Sequence, residues 1–107
     1  MAGSLGDLGG LLHQAQKMQR TMAQLQEEFG KRTFEGRAGG GRVRVLLSGS
    51  RQVREVKIDP EVVDPQDVEL LEDLVRSAFG DALKQLEDNL QAEMKRVTGG
   101  VGLPGMF

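Results

Sequence analysis

From Leu8 the apolar residues Leu8, Leu11, Ala15, Met18, Met22, Leu25 and Phe29 recur at alternating steps of three and four, an uninterrupted helical seam. Between them stand Gln14, Gln16, Lys17, Gln19, Arg20, Gln24, Gln26 and Glu27, polar residues with good helix propensity, and Gly30 supplies a stop. The pattern predicts a helix over Leu8–Phe29. Gly3, Gly6, Gly9 and Gly10 crowd its beginning, so residues 1–7 are expected to be a flexible N-terminus.

The period then changes. Lys31 to Ala38 contains Thr33 and Phe34 and runs into Gly39, Gly40 and Gly41, which reads as strand, turn and strand. Arg42, Val43, Arg44 and Val45 alternate basic and β-branched residues before Leu46, Leu47 and a turn at Ser48, Gly49 and Ser50. A third strand is expected from Arg51 to Ile58. Its register stays open: Val56 and Ile58 share a face with Arg54, and Val53 points the other way unless a bulge intervenes. Three short antiparallel strands are only marginally stable alone in water, so a helix must cover one face.

That helix is announced by Asp64 as N-cap, Pro65 at the first helical position, and Asp67 and Glu69 in the first turn. The apolar set Val68, Leu71, Val75, Ala78, Ala82 and Leu86, with Leu74, Phe79, Leu83, Leu90, Met94 and Val97 beside it, carries the helix to Val97. Lys95 and Arg96 fall in its last turn, Gly99 and Gly100 end it, and Gly80 marks a candidate bend. The prediction is an α+β chain: an N-terminal helix, a three-stranded antiparallel sheet and a long C-terminal helix, forming a single domain over residues 8–98. A Gly-rich tail over 99–107 follows it.

Length adds a constraint. A helix of about thirty residues spans about 45 Å, whereas a strand of about seven residues spans about 24 Å. The last helix outruns its sheet, and its distal Leu83, Leu86, Leu90 and Met94 need a second apolar surface, for which the seam of the first helix is the obvious candidate. Protruding paired helices and a dimer follow as the expectation.

Composition narrows the function. With no Cys among 107 residues, disulfides, thiolate metal sites and thiol nucleophiles are excluded, and a reducing cytoplasm is the default compartment. No leader pattern and no run of about 18 apolar residues appears, so no membrane association is expected. The net charge of −2 hides a segregation. From His13 to Lys57 ten Lys and Arg face four Glu, a balance of +6; from Ile58 onward four bases face eleven acids, a balance of −7. Such asymmetry suggests a charged docking surface.

Catalytic chemistry has little to stand on: one His, no Cys, no Tyr and no phosphate loop followed by Lys-Ser or Lys-Thr. No catalytic residues, no cofactor and no metal are expected. His13 lies off the seam and reads as solvated surface, the glycine run reads as a hairpin turn because a strand follows it, and Glu69, Glu72 and Asp73 read as a solvated helix face. The basic residues are the candidates. Lys17 and Arg20 lie on the exposed side of the first helix, and Lys95 and Arg96 end the second. Arg42 and Arg44 share a strand face, which could be a solvated face, an ion-pairing surface for the acidic helix, or a phosphate contact.

Several segments in order carry a resemblance: LLHQAQKMQ (Leu11 to Gln19), EGRAGGGRVRV (Glu35 to Val45), Ser48-Gly49, VKIDP (Val56 to Pro60), LLEDLV (Leu70 to Val75), DAL (Asp81 to Leu83), and MKRVTGG with LPGM (Met94 to Gly100, Leu103 to Met106). From Gly6 to Met106 the chain resembles the YbaB/EbfC family of bacterial nucleoid-associated proteins. The resemblance implies a cytoplasmic, nucleoid-located homodimer shaped like tweezers, binding duplex DNA without enzymatic activity, in nucleoid organisation or gene regulation. It also implies DNA contacts at the helical tips, placing Lys17, Arg20, Lys95 and Arg96 first and Arg42 and Arg44 second. The gene neighbourhood of the family points to a recombination or replication protein as a further partner. Two features depart from the pattern: Gly80 stands where the family usually has Asn, and a pI near 5.4 leaves little basic surface, so binding should be weak and salt-sensitive. The rival class is a protein-interaction module in which the acidic helix or the LPGMF tail docks a partner and DNA binding is incidental.

Overall fold

The computed structural model describes residues 2–97, with side chains from Leu8 onward. Its elements in order are α1 (Ala2–Lys31), β1 (Thr33–Ala38), β2 (Val43–Ser48), β3 (Val53–Ile58), a 3-10 turn (Pro60–Val62) and α2 (Val68–Val97). This is the α+β arrangement expected. Helix α1 starts earlier than Leu8 and ends two residues past Phe29. Gly9 and Gly10 cost helix propensity, about 1 kcal/mol each relative to Ala, without forbidding the conformation. The tail over 99–107 lies outside the described residues.

The strands form an antiparallel meander in the order β1-β2-β3. Gly39, Gly40 and Gly41 have φ of 62°, 69° and 87°, three successive left-handed positions that side chains other than glycine rarely adopt, and they close the first hairpin. The register question in β3 is settled by a bulge: Leu46 pairs with Glu55 and Leu47 with Val53, leaving Arg54 as the extra residue. Val53, Val56 and Ile58 thereby fall on one face, opposite Leu47, Val45 and Val43.

That face is covered by α2, but only over β1 and β2. Val43, Val45, Leu47, Val62, Ala78 and Ala82 form the main core. A Cβ at Gly36 would stand 1.9 Å from the Ala78 carbonyl oxygen and 2.9 Å from the Ala82 Cβ, so the missing side chain lets the helix backbone lie directly on the strand. On that same face, where α2 does not reach, β3 is exposed along its whole length, with Val53, Val56 and Ile58 open to solvent.

The start of α2 differs from expectation. The Asp64 carboxylate accepts from the Gln66 N–H, and Asp67, whose carboxylate accepts from the Leu70 N–H, precedes the first helical residue, Val68. Asp64 closes a turn around Pro65 and Gln66, with the Asp67 N–H donating to its carbonyl, and Asp67 is the cap because its carboxylate accepts from the third helical N–H.

A second, smaller core lies where α1 ends. Phe29, Phe34 and Leu86 are buried together with Leu90 packed against them. Beyond it the described helix α1 is exposed through Leu8–Thr21, so its seam receives the distal half of α2 only at its last turns. The molecule measures 79 × 25 × 17 Å, with a radius of gyration of 21.1 Å. A compact chain of this length would give about 13 Å. The excess is the projecting arm.

Candidate nucleic-acid interface

The arm is fixed to the body at one joint. The Phe29 and Phe34 rings lie 5.5 Å apart, and the Arg32 guanidinium sits over both, 5.4 and 5.3 Å from their centroids. Arg32 also donates to Asn89 Oδ1 at 3.0 Å and lies 3.7 Å from a Glu93 carboxylate oxygen. Asn89 is held in turn through its amide to the Gln85 carbonyl at 2.7 Å. Arg32 thus ties the end of α1 to the distal half of α2 through a planar side chain that stacks and hydrogen-bonds at once. On the far side of the joint, the Gly49 N–H donates to the Arg32 carbonyl at 2.8 Å, and a Cβ on Gly49 would collide with the Phe29 carbonyl oxygen.

Lys17 and Arg20 are exposed on the arm. At 100° per residue they lie about 120° and 180° around the helix from the centre of the apolar stripe, so the basic and apolar faces are separate. Lys95 and Arg96 close α2, where Arg96 pairs with Glu93. Arg96 lines a recess with Leu25 and Glu28, which puts the end of α2 about one to two helical turns from Arg20 along α1. All four lie beyond the joint, but Lys17 and Arg20 sit midway along α1 and not at its tip, on a face turned away from α2, while Lys95 and Arg96 end α2 beside the joint.

Arg42 and Arg44 lie elsewhere. Arg42 is exposed beside the glycine turn, which packs on Leu74 near the start of α2. From Leu74 to Arg96 the helix rises about 33 Å, so the two basic groups sit at opposite ends of α2. Arg44 is the centre of a row the linear sequence conceals: Arg37 pairs with Arg44 and Arg44 with Lys57 directly across the three strands. The row is neutralised in part by the next one, with Glu35 lying 3.3 Å from Arg37 and 3.9 Å from Arg44, and Glu55 lying 3.2 Å from Lys57. Arg44 pairs within the sheet, and the basic residue of this hairpin that reaches the acidic helix is Arg51, 3.9 Å from a Glu87 carboxylate oxygen. Arg37 and Lys57 were missed because their alignment appears only once the strand register is known.

His13 is exposed, and no group of three or more metal-ligating residues is found among the described residues. No helix among them is long and apolar enough to cross a membrane.

A helical arm, a three-stranded meander and a long covering helix define a class of small α+β protein already seen in a crystal structure. The fold is similar to that of protein HP0035 from Helicobacter pylori, with a TM-score of 0.71 and 27% identity, covering 85% of this chain and 92% of that one. The chain belongs to the YbaB/EbfC DNA-binding family, whose sequence model matches residues 5–101. It is 48% identical over 105 residues to a nucleoid-associated protein of Clostridium kluyveri, covering 98% of this chain and 92% of the relative. A nucleoid-associated protein of Acetivibrio thermocellus is 47% identical over 103 residues, covering 95% and 91%.

Proposed function

We propose that this protein is a non-enzymatic nucleoid-associated protein of the bacterial cytoplasm that binds duplex DNA as a homodimer, mainly through phosphates. The observation that carries the reading is membership of a DNA-binding family, and the exposed Lys17, Arg20, Lys95 and Arg96 beyond the joint are the contacts assigned to it. These side chains offer charge without an element shaped to enter a groove and read base edges, so contacts to the backbone dominate. The row of Arg37, Arg44 and Lys57, with Arg42 beside it, is a second and weaker contact because Glu35 and Glu55 already engage it.

The dimer reading rests on β3. An edge strand with unpaired backbone groups and three exposed apolar side chains invites pairing, and Val68 and Leu70 of α2 are exposed as well. Joining two copies there would bury these residues and set two arms to face one duplex, the tweezer form.

The test is a duplex titration at about 50 and 200 mM salt, a range over which phosphate-driven affinity falls steeply, alongside a mass determination of the free protein. A dimer that binds at the lower salt and releases at the higher supports the proposal. A folded dimer that binds no DNA at low salt refutes it and leaves the protein-interaction module as the function, with a recombination or replication protein as partner.

A further inference from the structure

The apolar stripe of α1 has no cover among the described residues. Leu8, Leu11 and Met18 are each more than 60% exposed, a level at which an apolar face on a soluble helix calls for a partner. At its lower end the stripe opens into a groove of about 330 Å³ lined by Met22, Leu25 and Phe29 of α1 and by Leu90 and Met94 of α2. Helix α2 therefore runs out beside Met22, with the bare stripe continuing ahead of it. At that point the sequence continues as TGGVGLPGMF over residues 98–107, a stretch without a charge that carries Leu103, Met106 and Phe107.

We propose that residues 99–107 are the ligand of the α1 stripe of their own chain. Reach and composition both fit. From Met22 back to Leu8 the stripe is about 21 Å long, and nine residues extend to about 30 Å, so the tail can follow the stripe with slack. Gly99 and Gly100 allow the chain to turn out of the helix towards α1. An uncharged segment loses no ionic hydration on docking, and its three large apolar side chains match Met18, Ala15, Leu11 and Leu8 in kind. Lys17 and Arg20 point away from the stripe, so the occupied arm keeps its basic face.

The absence of Trp and Tyr makes the test direct. In the full-length Phe107→Trp protein the new indole is the sole strong fluorophore. Docking predicts blue-shifted emission and several-fold weaker acrylamide quenching than for a free peptide of the same tail. Adding Leu11→Asp and Ala15→Asp, both at exposed positions that leave the cores untouched, should restore peptide-like quenching, with circular dichroism confirming that the fold persists. Peptide-like quenching before the Asp pair is added would overturn the proposal. A second readout needs no tryptophan: Leu103→Ser, Met106→Ser and Phe107→Ser together should accelerate amide exchange in α1 between Gly9 and Met22 several-fold, and unchanged exchange would count against docking. A further arm mixes the Phe107→Trp chain with an excess of Asp-pair chains that lack Trp. Retained protection supports docking on the same chain, whereas exposure on subunit exchange would overturn it in favour of a tail swapped between copies.

Discussion

Replacing Gly36 by Ala tests how α2 is seated. The backbone of Gly36 is not in the left-handed region, so the effect is steric and not conformational. The new Cβ would stand 1.9 Å from the Ala78 oxygen, 2.5 Å from the Ala82 nitrogen and 2.9 Å from the Ala82 Cβ. Two of the three are backbone atoms of a helix and cannot rotate aside. Restoring ordinary contact near 3.5 Å requires strand and helix to separate by about 1.5 Å. Overpacking of this kind costs about 1–3 kcal/mol. The separation also opens a gap above Val43 and Val45, and gaps of 0.5–1 Å already forfeit about a quarter to a half of each contact. The expected loss is therefore at least about 3 kcal/mol, equivalent to a fall of about 12–24 °C in Tm for a domain of this size. Thermal and urea melts at one fixed protomer concentration measure it, since a dimer's Tm depends on concentration. Gly80→Ala is the matched control: nothing lies within 4 Å of its Cβ position in the middle of α2, and it should gain about 1 kcal/mol. A Gly36→Ala protein that melts within about 1 kcal/mol of the parent would refute the seating argument.

Other expectations follow from the joint and the arm. Leu86→Ala, at a fully buried position in the cluster with Phe29 and Phe34, should cost about 2–5 kcal/mol in urea unfolding. Arg32→Lys should recover little of the loss caused by Arg32→Ala, about 1–2 kcal/mol, because an ammonium group cannot stack between two rings while bonding Asn89; equal stability of Lys and Arg would contradict the clamp. Neutralising Lys17, Arg20, Lys95 and Arg96 to Gln should lower the slope of log affinity against log salt by about 3.6 for each engaged protomer, with the unfolding curve close to the parent's.

The helices were legible because each carries a periodic stripe longer than any competing pattern, and the glycine run at Gly39 to Gly41 announced its hairpin. What escaped depended on atoms far apart in the chain. The bulge at Arg54 is a compromise between a turn and a face, and only pairing with Leu46 and Leu47 decides it. The cap of α2 was placed at Asp64 instead of Asp67 because both aspartates carry the same local signal, and Pro65 made the earlier one look stronger. The open face of β3 follows from α2 lying over β1 and β2, a choice made by Gly36, which reads in sequence as any strand glycine. Among candidate site residues, Lys17 and Arg20 were visible from helical phase alone, whereas the alignment of Arg37, Arg44 and Lys57 required the register. The DNA role itself came from the family resemblance, since the basic residues alone allow several partners.

The single joint at Arg32 has an evolutionary side. Because the polar face of α1 supports neither core, substitutions there at Gln14, Lys17 or Arg20 subtract almost nothing from the stability of the sheet and α2, and so are not filtered by the threshold that removes most core changes. An arm attached in this way is free to drift in charge and to be retuned for a different nucleic-acid shape or salt regime, while the body that carries it stays recognisable.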